Sequence, residues 1–253
     1  MRRAWEFGKL FLFSPSKAAD ACLKKDAFRN ALVLNAFLLA LSLFFSWVNP
    51  LKFLDPNAPV TAAHSAGFWL RVLVWEPVLL GLSTLITVVI IDWLRDGWLP
   101  FKAMTSMLWS LIPGILALFY LLPTTTLNHK FFILALVVWA FPLAPLSRRI
   151  ARKDWLGIGI FLLGMSVIQG VGEIASLATM PLRSIHAFYT IQGGMLLWFL
   201  ICAGTGLSRI ARMSTARSVL AVFFGMFVGI TLPAVAYVFD MMPKEVLKVF
   251  LFG

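Results

Sequence analysis

Seven runs of 17 to 23 predominantly apolar residues, at 31–48, 70–91, 103–122, 131–147, 156–178, 190–207 and 218–239, constrain this chain more than any other feature. A soluble core of this size cannot hide them all. In lipid, a backbone without water must satisfy its own polar groups, so each run reads as an α-helix crossing a hydrocarbon layer about 30 Å thick. Prolines, glycines or charges punctuate every gap. Composition agrees: 60% of residues are hydrophobic and 13% charged, where a soluble domain is about half apolar and a quarter charged. The expected fold is an all-α, polytopic transmembrane helical bundle of about seven spans.

Lys and Arg set the expected orientation, because basic residues stay on the cytoplasmic side of short loops. One side collects the seven of residues 1–29, then Arg95 and Lys102, then Arg148, Arg149, Arg152 and Lys153, then Arg209, Arg212 and Arg217. The other keeps Lys52, Arg71, Lys130, Arg183, Lys244 and Lys248. This split puts the N-terminus in the cytoplasm and the C-terminus outside, in a bacterial cytoplasmic membrane. A missed span would turn one of the Arg-rich turns outward.

Residues 1–29 interleave their cations with Trp5, Phe7, Leu10, Phe11, Leu12 and Phe13, the pattern of an interfacial amphipathic segment on the inner leaflet. Ser14 followed by Pro15 reads as a cap and first residue of a short helix running to about Lys25. A signal peptide is disfavoured, since 29 residues exceed its basic region and no small-residue cleavage pattern follows. The remainder divides into a transmembrane domain over 30–240 and a short tail over 241–253; the longest connection, 49–69, is too small for a domain.

The net charge of +11 sits in turns between spans and not on a basic domain, which excludes nucleic acid as the expected partner. Cys22 and Cys202 are expected at different depths, unpaired, and no thiolate metal site is indicated. Arg149-Ile150-Ala151-Arg152 recurs as Arg209-Ile210-Ala211-Arg212 at an offset of 60 residues, with Trp139 against Trp198 and Gly164-Met165 against Gly225-Met226. That pattern suggests two copies of one hairpin; the general likeness of apolar helices joined by basic turns accounts for it equally well.

Leu12-Phe13-Ser14-Pro15-Ser16-Lys17-Ala18-Ala19, the stretch Leu99-Pro100-Phe101-Lys102-Ala103 through Trp109-Ser110-Leu111-Ile112-Pro113, and the Trp198 to Arg212 segment resemble bacterial members of the Yip1-domain family. The resemblance covers about residues 10–240. It implies a non-enzymatic membrane protein: eukaryotic relatives act in vesicle trafficking by binding small GTPases and one another, and no catalytic residue carries over. The family usually shows five spans, so seven here would add a hairpin.

Polar groups inside spans cost about 2.5 to 3.5 kcal/mol each when charged, and so mark candidate sites. Asn35, Glu76, Gln169 and Glu173 are those residues. Glu76 precedes Pro77, which frees a backbone carbonyl. One reading is a kinked helix whose buried carboxylate binds a cation or relays a proton; the plain reading sends Glu76 outward toward Arg71 or Arg183. Gln169 and Glu173, four apart, share a helix face beside Gly170 and Gly172; the plain reading is a hydrogen-bonded packing seam, the sharper one a substrate path lined by Glu76, Gln169 and Glu173. His64, His129 and His186 fit no metal-ligand spacing, and no HExxH, P-loop or Gly-x-Ser-x-Gly elbow occurs.

The sequence thus leads to a scaffold or accessory subunit without cofactors. Its cytoplasmic cations, Arg148, Arg149, Arg152, Lys153, Arg209, Arg212 and Arg217, are the expected contacts to anionic lipid or a partner. Small-residue faces such as Gly157/Gly164 and Gly225/Gly229 offer seams for other membrane subunits or a second copy. The alternative is a small-solute or ion transporter using the buried carboxylates.

Overall fold

The computed structural model describes residues 2–48, 66–121, 129–142, 152–244 and 246–247, and among them it is all helical. Ten helices are described here: α1 (Arg2–Phe13), α2 (Pro15–Cys22), α3 (Ala27–Val48), α4 (Ala66–Arg95), α5 (Leu99–Leu121), α6 (His129–Ala140), α7 (Arg152–Gly164), α8 (Ser166–Leu177), α9 (Ile185–Ala211) and α10 (Thr215–Val238). Five stretches are long and apolar enough to cross a membrane: Gly67–Arg95, Leu99–Tyr120, Trp155–Leu177, Ile185–Ala211 and Thr215–Val238. Two shorter apolar stretches, Ala27–Ser42 and Lys130–Ala140, fall where the first and fourth spans were expected. The chain is therefore an integral membrane protein of helical type.

The Trp155–Leu177 span is made of α7 and α8 end to end. Met165 stays in the right-handed helical region, and its N–H is shared between the Phe161 and Leu162 carbonyls, so the break is a local tightening of one rod. At the centre, α10 packs against α4, α5 and α9. A second group, α3, α7 and α8, packs together and against α9, while α6 lies on α5.

Residues 2–29 differ from a segment that only rests on lipid. Pro15 opens α2 as expected, but the Ser14 hydroxyl makes no capping bond. The backbone explains why: Ser14 N–H bonds the Leu10 carbonyl at 2.8 Å and Ala18 N–H bonds the Ser14 carbonyl at 2.9 Å, so α2 runs on from α1 with a kink at the proline. The apolar side is spent inside the protein. Phe11, Ala18 and Ala19 are wholly buried, and Phe11 tilts against Phe161 with ring centroids 5.2 Å apart.

Glycines let these rings in. A Cβ at Gly164 would overlap the Phe11 ring, and one at Gly206 would overlap Phe161. An aromatic stack of Phe7, Phe11 and Phe161 thus threads from α1 through α7 to α9. The seams expected for partner helices are occupied within the chain: Gly157 faces Leu23 and Ile210, Gly164 faces Phe11, Gly225 faces Thr87, and Gly229 faces Ser83. Trp5 and Phe13, 57% and 76% exposed, remain for the surrounding lipid.

Candidate functional site

At the end of the bundle away from α2, α8 turns one polar face toward its neighbours. Ser166, Gln169, Glu173 and Ser176 follow one another at spacings of three, four and three, which places all four on one side of the helix. Asn35 and Ser42, seven apart on α3, share a face in the same way. The two faces meet because Gly170 admits Leu38 and Leu41 of α3, and Gly172 admits Met195 of α9.

Glu173 is the centre of this seam and is only 7% exposed. The Ser42 hydroxyl donates to Glu173 Oε1 at 2.6 Å, and the Gln169 amide donates to the same oxygen at 3.3 Å. Oε2 is enclosed and has no hydrogen-bond partner among the described residues. Nearer the α2 end, the Ser166 hydroxyl donates to the Leu163 carbonyl at the end of α7 and lies 3.4 Å from Asn35 Oδ1. Beyond Glu173, the Gln192 amide of α9 donates to Ser176 at 2.7 Å. Gln169 sits at the exposed edge.

The structure leaves Glu76 of α4 half-buried, and among the described residues no hydrogen bond or ion pair joins it to Glu173. It does not send Glu76 to a cation: among the described residues neither Arg71 nor Arg183 pairs with it, and both are exposed. The physical reason is place. Arg183 lies in a turn with left-handed backbone before α9, and Arg71 faces outward more than a turn away on α4. Ser42, Ser166, Ser176 and Gln192 were not singled out; the 3-4-3 polar spacing along α8 was the available signal for two of them.

The basic face holds the opposite end. Arg209 Nε meets Asp20 of α2 at 2.9 Å, an exposed pair. Arg217 is committed internally: Nη1 donates to the Leu94 and Arg95 carbonyls at 2.7 and 2.8 Å, and Nη2 to Gly97 at 2.8 Å. It caps α4, whose last carbonyls have no partners within the helix. Lys102 turns inward as well, donating to the Trp93 carbonyl at 2.7 Å with its ammonium 5.0 Å from the Trp93 ring centroid. Lys17, Lys24, Lys25, Arg29 and Arg212 are exposed. Arg148 and Arg149, with the side chains of Arg152 and Lys153, lie outside the described residues.

An apolar pocket of about 220 Å³ opens between α4 and α5 at this same end, walled by Ile90, Trp93, Thr105, Trp109 and Pro142. Cys22 and Cys202 are free and buried. Burial pushes the Cys22 thiol up to about 12 from an ordinary value of 9.0. His186 is exposed, His64 and the His129 side chain lie outside the described residues, and no group of three metal-ligating side chains occurs among the described ones. Comparison with protein-family models, with curated proteins and with solved structures returned no match.

Proposed function

We propose that this chain is a non-enzymatic integral membrane scaffold or accessory subunit of the Yip1 type, seven-spanning, with its N-terminus in the bacterial cytoplasm. The observation that carries the reading is the platform built from α1 and α2. Phe11 and the Arg209–Asp20 pair fix these helices beneath the bundle, and Lys17, Lys24, Lys25, Arg29 and Arg212 stay exposed on it. A fixed array of cations suits an anionic surface, either lipid headgroups or an acidic partner, at about 1 kcal/mol per cation near a charged membrane. Counting the two short apolar stretches, Ala27–Ser42 and Lys130–Ala140, as spans brings the number to seven. This count supports keeping every Arg-rich turn on one side.

Affinity purification of the full chain in mild detergent tests the reading. Membrane subunits should co-purify with the wild type and be lost with Lys24→Gln/Lys25→Gln/Arg212→Gln. Equal recovery by both would remove the platform from the interaction. Cysteine labelling from either side of sealed vesicles, at residue 25 and residue 212 against residue 183, should find the first two inside and the third outside; any other result overturns the orientation.

A transporter is the second reading, favoured by the half-satisfied carboxylate at Glu173.

A further inference from the structure

We propose that the cleft between the end of α4 and the start of α5 holds one glycerophospholipid of the surrounding membrane, with its phosphate at Lys102, an ester carbonyl at Ser106 and one acyl chain in the apolar pocket. The proposal rests on the membrane-spanning fold alone and is independent of the cationic platform on α1 and α2.

The first observation is the pocket itself. Its volume of about 220 Å³ is walled by Val89, Ile90 and Trp93 of α4 and by Thr105, Ser106 and Trp109 of α5. Water in such a space needs about two to four polar partners, whereas an apolar cavity of about 150 Å³ stays dry and takes up benzene. The turns of α5 around the pocket carry exposed Phe101, Met104 and Leu108. A cavity set in that surface meets hydrocarbon, and the apolar group at hand is an acyl chain.

The second observation is Ser106. It is only 4% exposed and lines the pocket, yet its hydroxyl makes no hydrogen bond among the described residues. Thr105 beside it is satisfied: its hydroxyl accepts from Trp93 Nε1 at 3.2 Å and lies within bonding distance of the Phe101 and Lys102 carbonyls. A buried hydroxyl without an acceptor costs free energy. Whatever fills the pocket should therefore bring one acceptor to Ser106 and be apolar beyond it. A hydrocarbon brings none; an ester carbonyl does.

The third observation is register. Lys102, Ser106 and Trp109 follow at spacings of four and three on one face of α5, with Ser106 about 6 Å further along the helix than Lys102. The Lys102 ammonium is held at the pocket's rim, donating to the Trp93 carbonyl at 2.7 Å and lying 5.0 Å from the Trp93 ring centroid. An ammonium has three donors, so this bond leaves two. Among the described residues no carboxylate pairs with it, Asp92 and Asp96 included. Beyond Pro142, residues 143–151 lie outside the described residues, and their sequence holds Arg148 and Arg149 but no carboxylate. Cation, hydroxyl and apolar pocket thus succeed one another in the order of phosphate, ester and acyl chain in a glycerophospholipid.

A phospholipid with a diazirine on its acyl chain tests this on the purified full chain in detergent, with adducts mapped by mass spectrometry. Adducts on Val89, Ile90 and Trp109 should saturate at low lipid and fall when unlabelled phospholipid is added. Those on exposed Ile115 and Leu118 should keep rising with lipid. Diacylglycerol with the same chains should compete about fivefold more weakly, and inorganic phosphate not at all. Lys102→Gln should weaken saturation about fivefold, with Lys102→Arg restoring it. Ser106→Ala makes the pocket more apolar and should still weaken binding. Pocket adducts that are absent while Leu118 is labelled would mean that the chain itself closes the cavity, and would overturn the proposal. So would equal competition by diacylglycerol, protection by inorganic phosphate alone, or saturation unchanged in both Lys102→Gln and Ser106→Ala.

Discussion

The indoles of Trp109 and Trp139 stack 4.7 Å apart across α5 and α6, and each donates its Nε1–H to the other's backbone carbonyl, at 3.1 and 2.8 Å. One half of this clasp follows from a proline. Pro113 lies inside α5 and has no N–H, so the carbonyl four residues back, that of Trp109, loses its helical donor. In a membrane such a carbonyl needs another partner, and the Trp139 indole supplies it. Trp139→Phe should therefore cost about 1 to 2 kcal/mol, the price of an orphaned buried carbonyl. In the Pro113→Ala background, where an N–H returns, the same change should cost markedly less. Reversible unfolding in detergent for the four proteins of this double-mutant cycle measures the difference; additive effects would show that the two tryptophans only pack.

Phe11 fills the notch over Gly164 with no exposed surface. Phe11→Ala should destabilise by about 3 kcal/mol, and should free α1 and α2 before the bundle itself melts. Limited trypsin digestion reads this directly, because Lys17, Lys24 and Lys25 are exposed sites on or just after α2. Faster cleavage there, with residues 152–238 still intact, is the expected outcome. A variant that resists trypsin as the wild type does would mean that α2 is held by other contacts, foremost the buried Ala18, Ala19 and Cys22.

How much of this was legible in the sequence depends on which forces wrote it. The helices were legible because long apolar runs carry a membrane signal that no local choice overrides. Glu76 and Glu173 were legible because a charge inside such a run is expensive. The packing of Phe11 was not: an aromatic residue among lysines reads the same whether its ring enters lipid or a protein notch, and only Gly164, 153 positions further on, decides. Arg217 was misplaced for a related reason. A cation in a basic turn looks like its neighbours until the carbonyls ending α4 are found beside it. Trp109 and Pro113 stood together in the stretch resembling the Yip1-domain family, but the partner of that pair, Trp139, is on another helix.

The raised Cys22 thiol makes alkaline stability a readout of how tightly α2 is docked. A thiol whose value is near 9.0 when free and about 12 when folded stabilises the fold fully below 9.0 and loses that contribution as pH rises toward 12. Within this window, each pH unit removes about 1.4 kcal/mol. Cys22→Ala should therefore lose less stability than the wild type between pH 9 and 11 in detergent melting. At neutral pH the native thiol should resist maleimide and react once the chain unfolds. Equal alkaline losses in both proteins would mean that Cys22 is not sealed beneath α2.

Arg212, at the end of α9, and Arg217, in the first turn of α10, lie five residues apart, and the structure gives them opposite tasks. Arg217 spans three carbonyls with one planar fork, tying the end of α4 to the first turn of α10. Lysine, a single point of charge, cannot reproduce that span. Both Arg217→Lys and Arg217→Gln should cost about 1 to 2 kcal/mol, allowing for the partial exposure of the site. Arg212 ends α9 in the left-handed region, with its side chain exposed. Arg212→Gln should leave stability within about 0.5 kcal/mol of the wild type, yet weaken recovery of a partner or of anionic lipid. Melting and co-purification on the same two variants separate the roles: stability should follow position 217 and binding position 212. The reverse pattern would move the contact surface onto the α4–α10 junction, because loosening that cap would then be what exposes it.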